Sequence, residues 1–91
     1  MEAAVFEVAF TVTGAQSLKD KRMVVRSIRD RCRSRFNVSV IECGANDKWQ
    51  LARLGFALAA LSASAAEQTA QSIIDFLYDD DRIRIIGIER D

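Results

Sequence analysis

Alternation of large apolar residues with polar or small ones is the feature that most limits what this 91-residue chain can fold into. Between Val5 and Val12 the alternation places four large side chains on one face: Phe6, Val8, Phe10 and Val12. A period of two residues predicts a half-buried β-strand. Similar patterns predict strands at 36–43 and 51–61, and an isoleucine-rich segment predicts a fourth strand at 82–90.

Two helices are predicted between these strands. Ser17 with Asp20 three residues later is typical of a helix start, and apolar residues recur at helical spacing through 17–35. Ser62 or Ser64 begins the second helix, and Asp79-Asp80-Asp81 ends it. The order β-α-β-β-α-β predicts a ferredoxin-like α+β fold, with a four-stranded antiparallel sheet and both helices on one face. We expect a single domain covering residues 1–91.

Composition argues against most catalytic chemistry. The chain has no histidine, which removes the commonest general base and metal ligand. Its two cysteines, Cys32 and Cys43, lack the spacing of a zinc or redox motif, and Cys32 falls on the apolar stripe of the first helix. We therefore expect a protein that is not an enzyme and needs no metal or cofactor.

Neither a secretory signal nor a membrane-spanning apolar stretch is visible, so we expect a cytoplasmic protein with reduced thiols. The net charge is zero, but residues 17–35 carry eight basic and two acidic residues, a local net charge of +6. Charge that is concentrated in one segment acts locally, whatever the average of the chain.

The basic residues of the first helix form the strongest candidate site. Five of them recur at intervals of three and four, which aligns them along one helical face: Lys19, Arg22, Arg26, Arg29 and Arg33. Such a stripe suits a phosphate backbone, and a solvated face of an amphipathic helix is the alternative. Lys19, Lys21 and Arg22 lie in the first turns, where cations oppose the helix dipole, and Gly14 precedes them. This arrangement suits an anion-binding site, and a solvated helix face is again the alternative.

Trp49 is a second candidate, in the loop Asp47-Lys48-Trp49-Gln50. It could stack on a base or anchor an interface, and a lid over one end of the core is the alternative. Gly55-Phe56-Ala57 resembles part of an RNA-recognition signature, but Phe56 shares the parity of Leu54 and Leu58 and is expected in the core.

Several segments resemble the YlxP-like family of small bacterial proteins. They are Gly14-Ala15-Gln16-Ser17-Leu18-Lys19-Asp20-Lys21-Arg22, then Arg35-Phe36-Asn37-Val38-Ser39-Val40, then Asp47-Lys48-Trp49-Gln50 with Leu54-Gly55. The resemblance implies a ferredoxin-like fold. It also implies a role near translation and ribosome maturation, because the family's genes typically lie beside those factors. The family has no established catalytic residues to carry over.

These observations predict a small binding protein that contacts structured, ribosomal RNA. The predicted phosphate contacts are Lys19, Lys21, Arg22, Arg26, Arg29 and Arg33, with Trp49 nearby. The alternative is a protein-interaction module that forms a homodimer or docks a partner through the sheet face that the helices leave open. That interface would contain small and apolar residues: Ala9, Ile41, Ala57 and Ala59.

Overall fold

The computed structural model describes residues 1–44 and 50–91. Its elements follow the predicted order: β1 (Glu2–Val12), α1 (Leu18–Arg35), β2 (Ser39–Gly44), β3 (Leu51–Ala60), α2 (Ala63–Tyr78) and β4 (Ile83–Arg90). Within the described residues, neither helix is long and apolar enough to cross a membrane.

The four strands form one antiparallel sheet in the order β2-β3-β1-β4. The first strand therefore lies in the interior of the sheet and pairs with both β3 and β4, while β2 and β4 are the edge strands. Sheet order and element order together are those of a ferredoxin-like fold, as the sequence predicted.

The helices cover one face of this sheet, and the core lies between them and the strands. Phe6, Phe10 and Phe56 are buried there, and the rings of Phe6 and Phe56 stack with their centroids 4.9 Å apart. The buried residues of α1 and α2 complete a single apolar cluster. The burial of Phe56 confirms the prediction that its ring faces the core and not the open face of the sheet.

Side-chain caps define where both helices begin. Ser17 Oγ accepts a hydrogen bond from the Asp20 backbone N–H at 3.1 Å, and Asp20 Oδ2 accepts one from the Gln16 N–H at 3.1 Å. Of the two serines that could begin α2, Ser62 is the cap, since its Oγ accepts from the Ala65 N–H. Such caps satisfy backbone donors that the first helical turn leaves unpaired.

The second strand begins three residues later than predicted. Phe36 caps the C-terminal end of α1, with its N–H bonded to the carbonyl of Cys32, and its ring packs edge-on against Phe76 of α2 at 5.8 Å. Its side chain is therefore half-buried because it packs between the helices, and strand alternation is not the cause. A half-buried aromatic residue beside a helix end satisfies the same sequence pattern as the first residue of a strand.

The fourth strand contains an irregularity that alternation alone does not show. The pairing of β1 with β4 passes from Ala9↔Gly87 to Phe10↔Ile85, so Ile86 has no partner and is 56% exposed. This extra residue is a β-bulge, and it lets Ile85 and Ile88 both face the core although they are three positions apart.

The turn between α2 and β4 is fixed by the Asp80 carboxylate. Oδ1 accepts from the Arg82 N–H and Nε at 3.0 and 2.9 Å, and Oδ2 accepts from Arg82 Nη2 at 2.7 Å. Arg82 also donates to Ser27 Oγ on α1 at 3.1 Å, and Arg31 lies 3.7 Å from Asp80. Hydrogen bonds from Arg82 hold the pKa of Asp80 below its usual value.

We predict that Asp80→Asn lowers the free energy of unfolding at neutral pH by about 1–2 kcal/mol, because it removes a charge-assisted bidentate pair. A carboxyl whose pKa is depressed by folding contributes stability above its unfolded pKa and loses that contribution as the pH falls through its folded pKa. The difference between wild type and variant, measured by urea unfolding, is expected to shrink below about pH 4. A difference that stayed constant down to pH 2 would contradict this account.

Candidate functional site

An open cleft between α1 and the edge strand β2 brings most of the predicted basic stripe together. Its volume is about 440 Å³. Four arginines form one wall and β2 forms the other, so that the lining consists of Arg22, Arg26, Arg29, Arg33, Val40, Ile41 and Glu42. The prediction that these arginines share one helical face is confirmed.

The position of the cleft follows from the buried stripe of the same helix. Lys21, Val25, Ile28 and Cys32 are the buried residues of α1. Each of the four arginines comes directly after one of them in the chain, which turns the basic stripe by about 100° around the helix axis. With the buried stripe held against the sheet, this rotation directs the arginines toward β2.

The cleft carries an excess of positive charge. Four guanidinium groups and one carboxylate, Glu42, line it, a net charge of +3. The register pairs Glu42 with Leu54 of β3, a buried residue, so Glu42 lies on the helix side of the sheet. A recess that concentrates charge of one sign attracts and holds ligands of the opposite sign.

Among the described residues, Arg29 and Arg33 make polar contacts within the protein. Arg33 Nη2 donates to the carbonyl of Val40 on β2 at 2.7 Å, which joins the two walls near one end of the cleft. Arg29 Nε lies 3.3 Å from Asp30 Oδ1, but that pair is exposed and weakly held. A guanidinium has five N–H donors, so each of these side chains keeps donors for an anion.

The prediction that Lys21 contacts phosphate is wrong. Lys21 is 4% exposed, and its Nζ donates to the carbonyl of Leu51 on β3 at 3.0 Å. Position 21 belongs to the buried stripe because it precedes Val25 by four residues and Ile28 by seven. The aliphatic part of a lysine can pack like an apolar side chain while its ammonium reaches a polar partner.

The start of α1 also differs from the expected anion site. Lys19 is exposed there but does not line the cleft. The Asp20 carboxylate bonds the Gln16 N–H and places a negative charge at the helix start. Gly14 has a φ of +75°, a conformation that favours glycine, so its presence needs no approaching ligand. The positive charge therefore converges farther along the helix, beside β2.

Arg31 and Arg35 lie on the opposite flank of α1. Their guanidinium carbons lie 5.1 and 5.2 Å from the centroid of the Phe76 ring, which is cation–π geometry. The arginines of one helix thus divide into a group beside β2 and a group packed on α2. Trp49, the other predicted contact, lies outside the described residues.

The open face of the sheet is the second predicted surface. Ile41, Ala57 and Ala59 are exposed, as expected, whereas Ala9 is only 7% exposed and offers little contact area. Ala9 lies on an interior strand between Arg53 and Gly87, where a methyl group is easily covered. The prediction that Ala9 belongs to the interface is therefore wrong, because its side chain is buried.

A hollow of about 190 Å³ lies on this face above Gly55. A side chain at position 55 would bring its Cβ within 3.4 Å of Ile41 and 3.5 Å of Cys43 Sγ. Beside the hollow, the Cys43 thiol donates to Glu7 Oε1 at 3.4 Å, and Arg53 lies 3.6 Å from Glu7. Alternation within each strand gives the face of each residue, but the sequence does not give the pairing between strands that brings Cys43, Glu7 and Arg53 together.

Neither cysteine is an activated nucleophile. Burial raises the pKa of the Cys32 thiol to about 11, and its side chain packs in the core as predicted. Desolvation and the hydrogen bond to Glu7 raise the pKa of Cys43 to about 11 as well. At neutral pH both groups are thiols, and the thiolate is the reactive form.

Comparison with known proteins gives a family whose activity is not known. The model of a family described as "Protein of unknown function (DUF503)" matches residues 3–90. An uncharacterized protein, YlxP of Bacillus subtilis (strain 168), is 38% identical over 63 residues, which cover 69% of this chain and 68% of that protein.

A solved structure agrees with the fold. It is the solution NMR structure of a de novo designed protein with a ferredoxin fold, 16% identical, with a TM-score of 0.53. The match covers 100% of this chain and 84% of the designed one. At this identity the likeness bears on the fold alone. With a family match across nearly its whole length, the chain belongs to the DUF503 family, which includes YlxP-like proteins of unknown function.

Proposed function

We propose that this protein is a non-enzymatic binding protein of the cytoplasm that contacts structured RNA through the four arginines of the cleft. The observation that carries the proposal is their convergence: Arg22, Arg26, Arg29 and Arg33 form one wall of an open cleft beside an edge strand. Ribosomal RNA is the target we favour, because the resemblance to YlxP-like proteins implies a role in translation or ribosome maturation.

The dimensions of the arginine row suit a phosphate backbone. From Arg22 to Arg33 the helix rises over 11 residues, or about 16 Å at 1.5 Å per residue. Successive phosphates of one strand lie several ångströms apart along a nucleic-acid helix, so a row of this length passes more than one of them. Guanidinium groups bind phosphate with paired hydrogen bonds, which a lysine ammonium cannot match in geometry.

This mode of binding differs from recognition on a sheet surface. The described part of the open face carries small and aliphatic residues near the position of Phe56, whose own ring is buried. Phosphate contacts position a nucleic acid without reading its sequence, so specificity would come from the shape of the RNA.

Such contacts predict a steep salt dependence. Four neutralised phosphates give a slope of about −3 to −4 in log K against log salt, depending on whether the strand is single or paired. We expect this slope for binding to isolated ribosomal subunits or to a structured RNA, measured by co-sedimentation or fluorescence anisotropy. A slope near zero would contradict the proposal.

Two double variants with the same change in charge distinguish binding in the cleft from attraction to any basic part of α1. Arg22→Gln/Arg26→Gln is expected to weaken RNA binding at least tenfold at low salt and to reduce the slope by about 2. Arg31→Gln/Arg35→Gln removes two charges from the other flank of the same helix and is expected to change affinity much less. Thermal unfolding of both variants checks that the fold persists. Equal losses in the two variants would show that the cleft has no special role.

Glu42 offers a test in the opposite direction. Its carboxylate lies among the arginines and repels phosphate, so Glu42→Gln is expected to tighten RNA binding about 3- to 10-fold at low salt, with a smaller gain at high salt. Glu89→Gln on β4 makes the same charge change away from the cleft and serves as the control. Unchanged or weaker binding by Glu42→Gln would contradict phosphate binding in the cleft.

A further inference from the structure

We propose that the open sheet face is an interface between two copies of this chain, which pair face to face around a two-fold axis. The face is the side of the sheet away from both helices, and the Gly55 hollow lies on it between β1 and the edge strand β2. This inference does not rest on RNA binding, because the four arginines of the cleft lie on the helix side of the sheet, although Ile41 of β2 lines both the cleft and the hollow.

The apolar content of the face is concentrated around the hollow. Ile41 is 59% exposed and Val5 is 41% exposed, and both line it. Ala57 and Ala59 of β3 are exposed beside them. Small residues on β3 between larger ones on the neighbouring strands form a surface into which another apolar side chain can fit. A monomer would leave this surface in water, at an unfavourable free energy that pairing removes.

The shape of the face fits a symmetric pairing. A two-fold interface uses the same patch on both partners, so one face must carry both protrusions and recesses. Here Ile41 projects from the edge strand while Gly55 leaves the hollow next to it, and a Cβ at position 55 would reduce that space. Each copy thus offers both a side chain to insert and a recess to receive one.

The charges of the face also favour a second copy over a strongly charged partner. Glu7 on β1 pairs in register with Glu89 on β4, and Thr11 pairs with Arg84, which places these side chains on the open face with Arg53. Within the four strands as described, the two acids and two bases of this face give no net charge, and Glu7 and Arg53 lie 3.6 Å apart. Two such faces do not repel each other, whereas a nucleic acid or an anionic membrane gains no net attraction.

The area is adequate for a stable contact. The four strands contain 11, 6, 10 and 8 residues. At about 3.3 Å per residue and about 4.8 Å between strands, the projected area of the face is about 550 Å². Counted over two copies, this exceeds the roughly 1,000 Å² that a specific interface needs. Sheets pack face to face when their twists match, and a second copy supplies an identical twist.

The direct test is the molar mass in solution of the full chain, measured by light scattering over a range of concentrations. Wild type is expected to approach twice 10.2 kDa as the concentration rises. Ala57→Glu places a charge on the face and is expected to remain monomeric, while Ser72→Glu on the exposed side of α2 is expected to dimerise like wild type. A wild type that is monomeric at every concentration, or a dimer indifferent to Ala57→Glu, would overturn the proposal.

A second measurement shows whether Ala57→Glu is a folded monomer or a misfolded chain. Cys43 is the exposed cysteine beside the hollow, and Cys32 is buried in the core. Alkylation of Cys43 at fixed mildly alkaline pH is expected to slow at least several-fold as wild-type concentration rises, because pairing covers the thiol. In Ala57→Glu the rate is expected to be independent of concentration, with Cys32 still protected. A wild-type rate that is independent of concentration would count against pairing through this face.

Discussion

Everything on the surface of α1 depends on how its buried stripe is held against the sheet. Val25, Ile28 and Cys32 are buried in the core, and this fixes the rotation of the helix about its own axis. One position later in each case, the arginines face β2, and on the other flank Arg31 faces Asp80 and Phe76. Burial of each large apolar side chain stabilises the fold by about 1.5–3 kcal/mol. This burial therefore decides where the cationic groups lie.

The same sheet separates two surfaces of different character. On the helix side, the cleft with a net charge of +3 is the proposed phosphate site, and on the open side the largely apolar hollow is the proposed contact with a second copy. Pairing through the open face would leave both arginine clefts turned outward. Two clefts on one particle would hold a large RNA more strongly than either alone, provided that the RNA presents phosphates to both at once.

The architecture could be predicted from the sequence because each alternating or helical pattern of apolar residues lies within one strand or one helix. Phe6, Val8 and Phe10 need only their own strand to reveal which face is buried. Helical spacing aligns Lys21 with Val25 and Ile28, but its charge favoured an exposed position. The carbonyl of Leu51 that allows its burial comes to α1 only after folding. The bulge at Ile86 and the Cys43–Glu7–Arg53 cluster arise from register between strands, which alternation within one strand does not encode.

Binding of phosphate beside β2, among the arginines that follow the buried stripe, can be tested at each arginine separately. The most direct measurement is an NMR titration of the isotope-labelled protein with a short structured RNA, in which the arginine side-chain Nε–H resonances are followed individually. We expect the resonances of Arg22, Arg26, Arg29 and Arg33 to shift together, while those of Arg31 and Arg35 stay in place. Shifts confined to Arg31 and Arg35, or to Arg53 and Arg84 of the open face, would contradict binding beside β2, as would no shift at all at low salt.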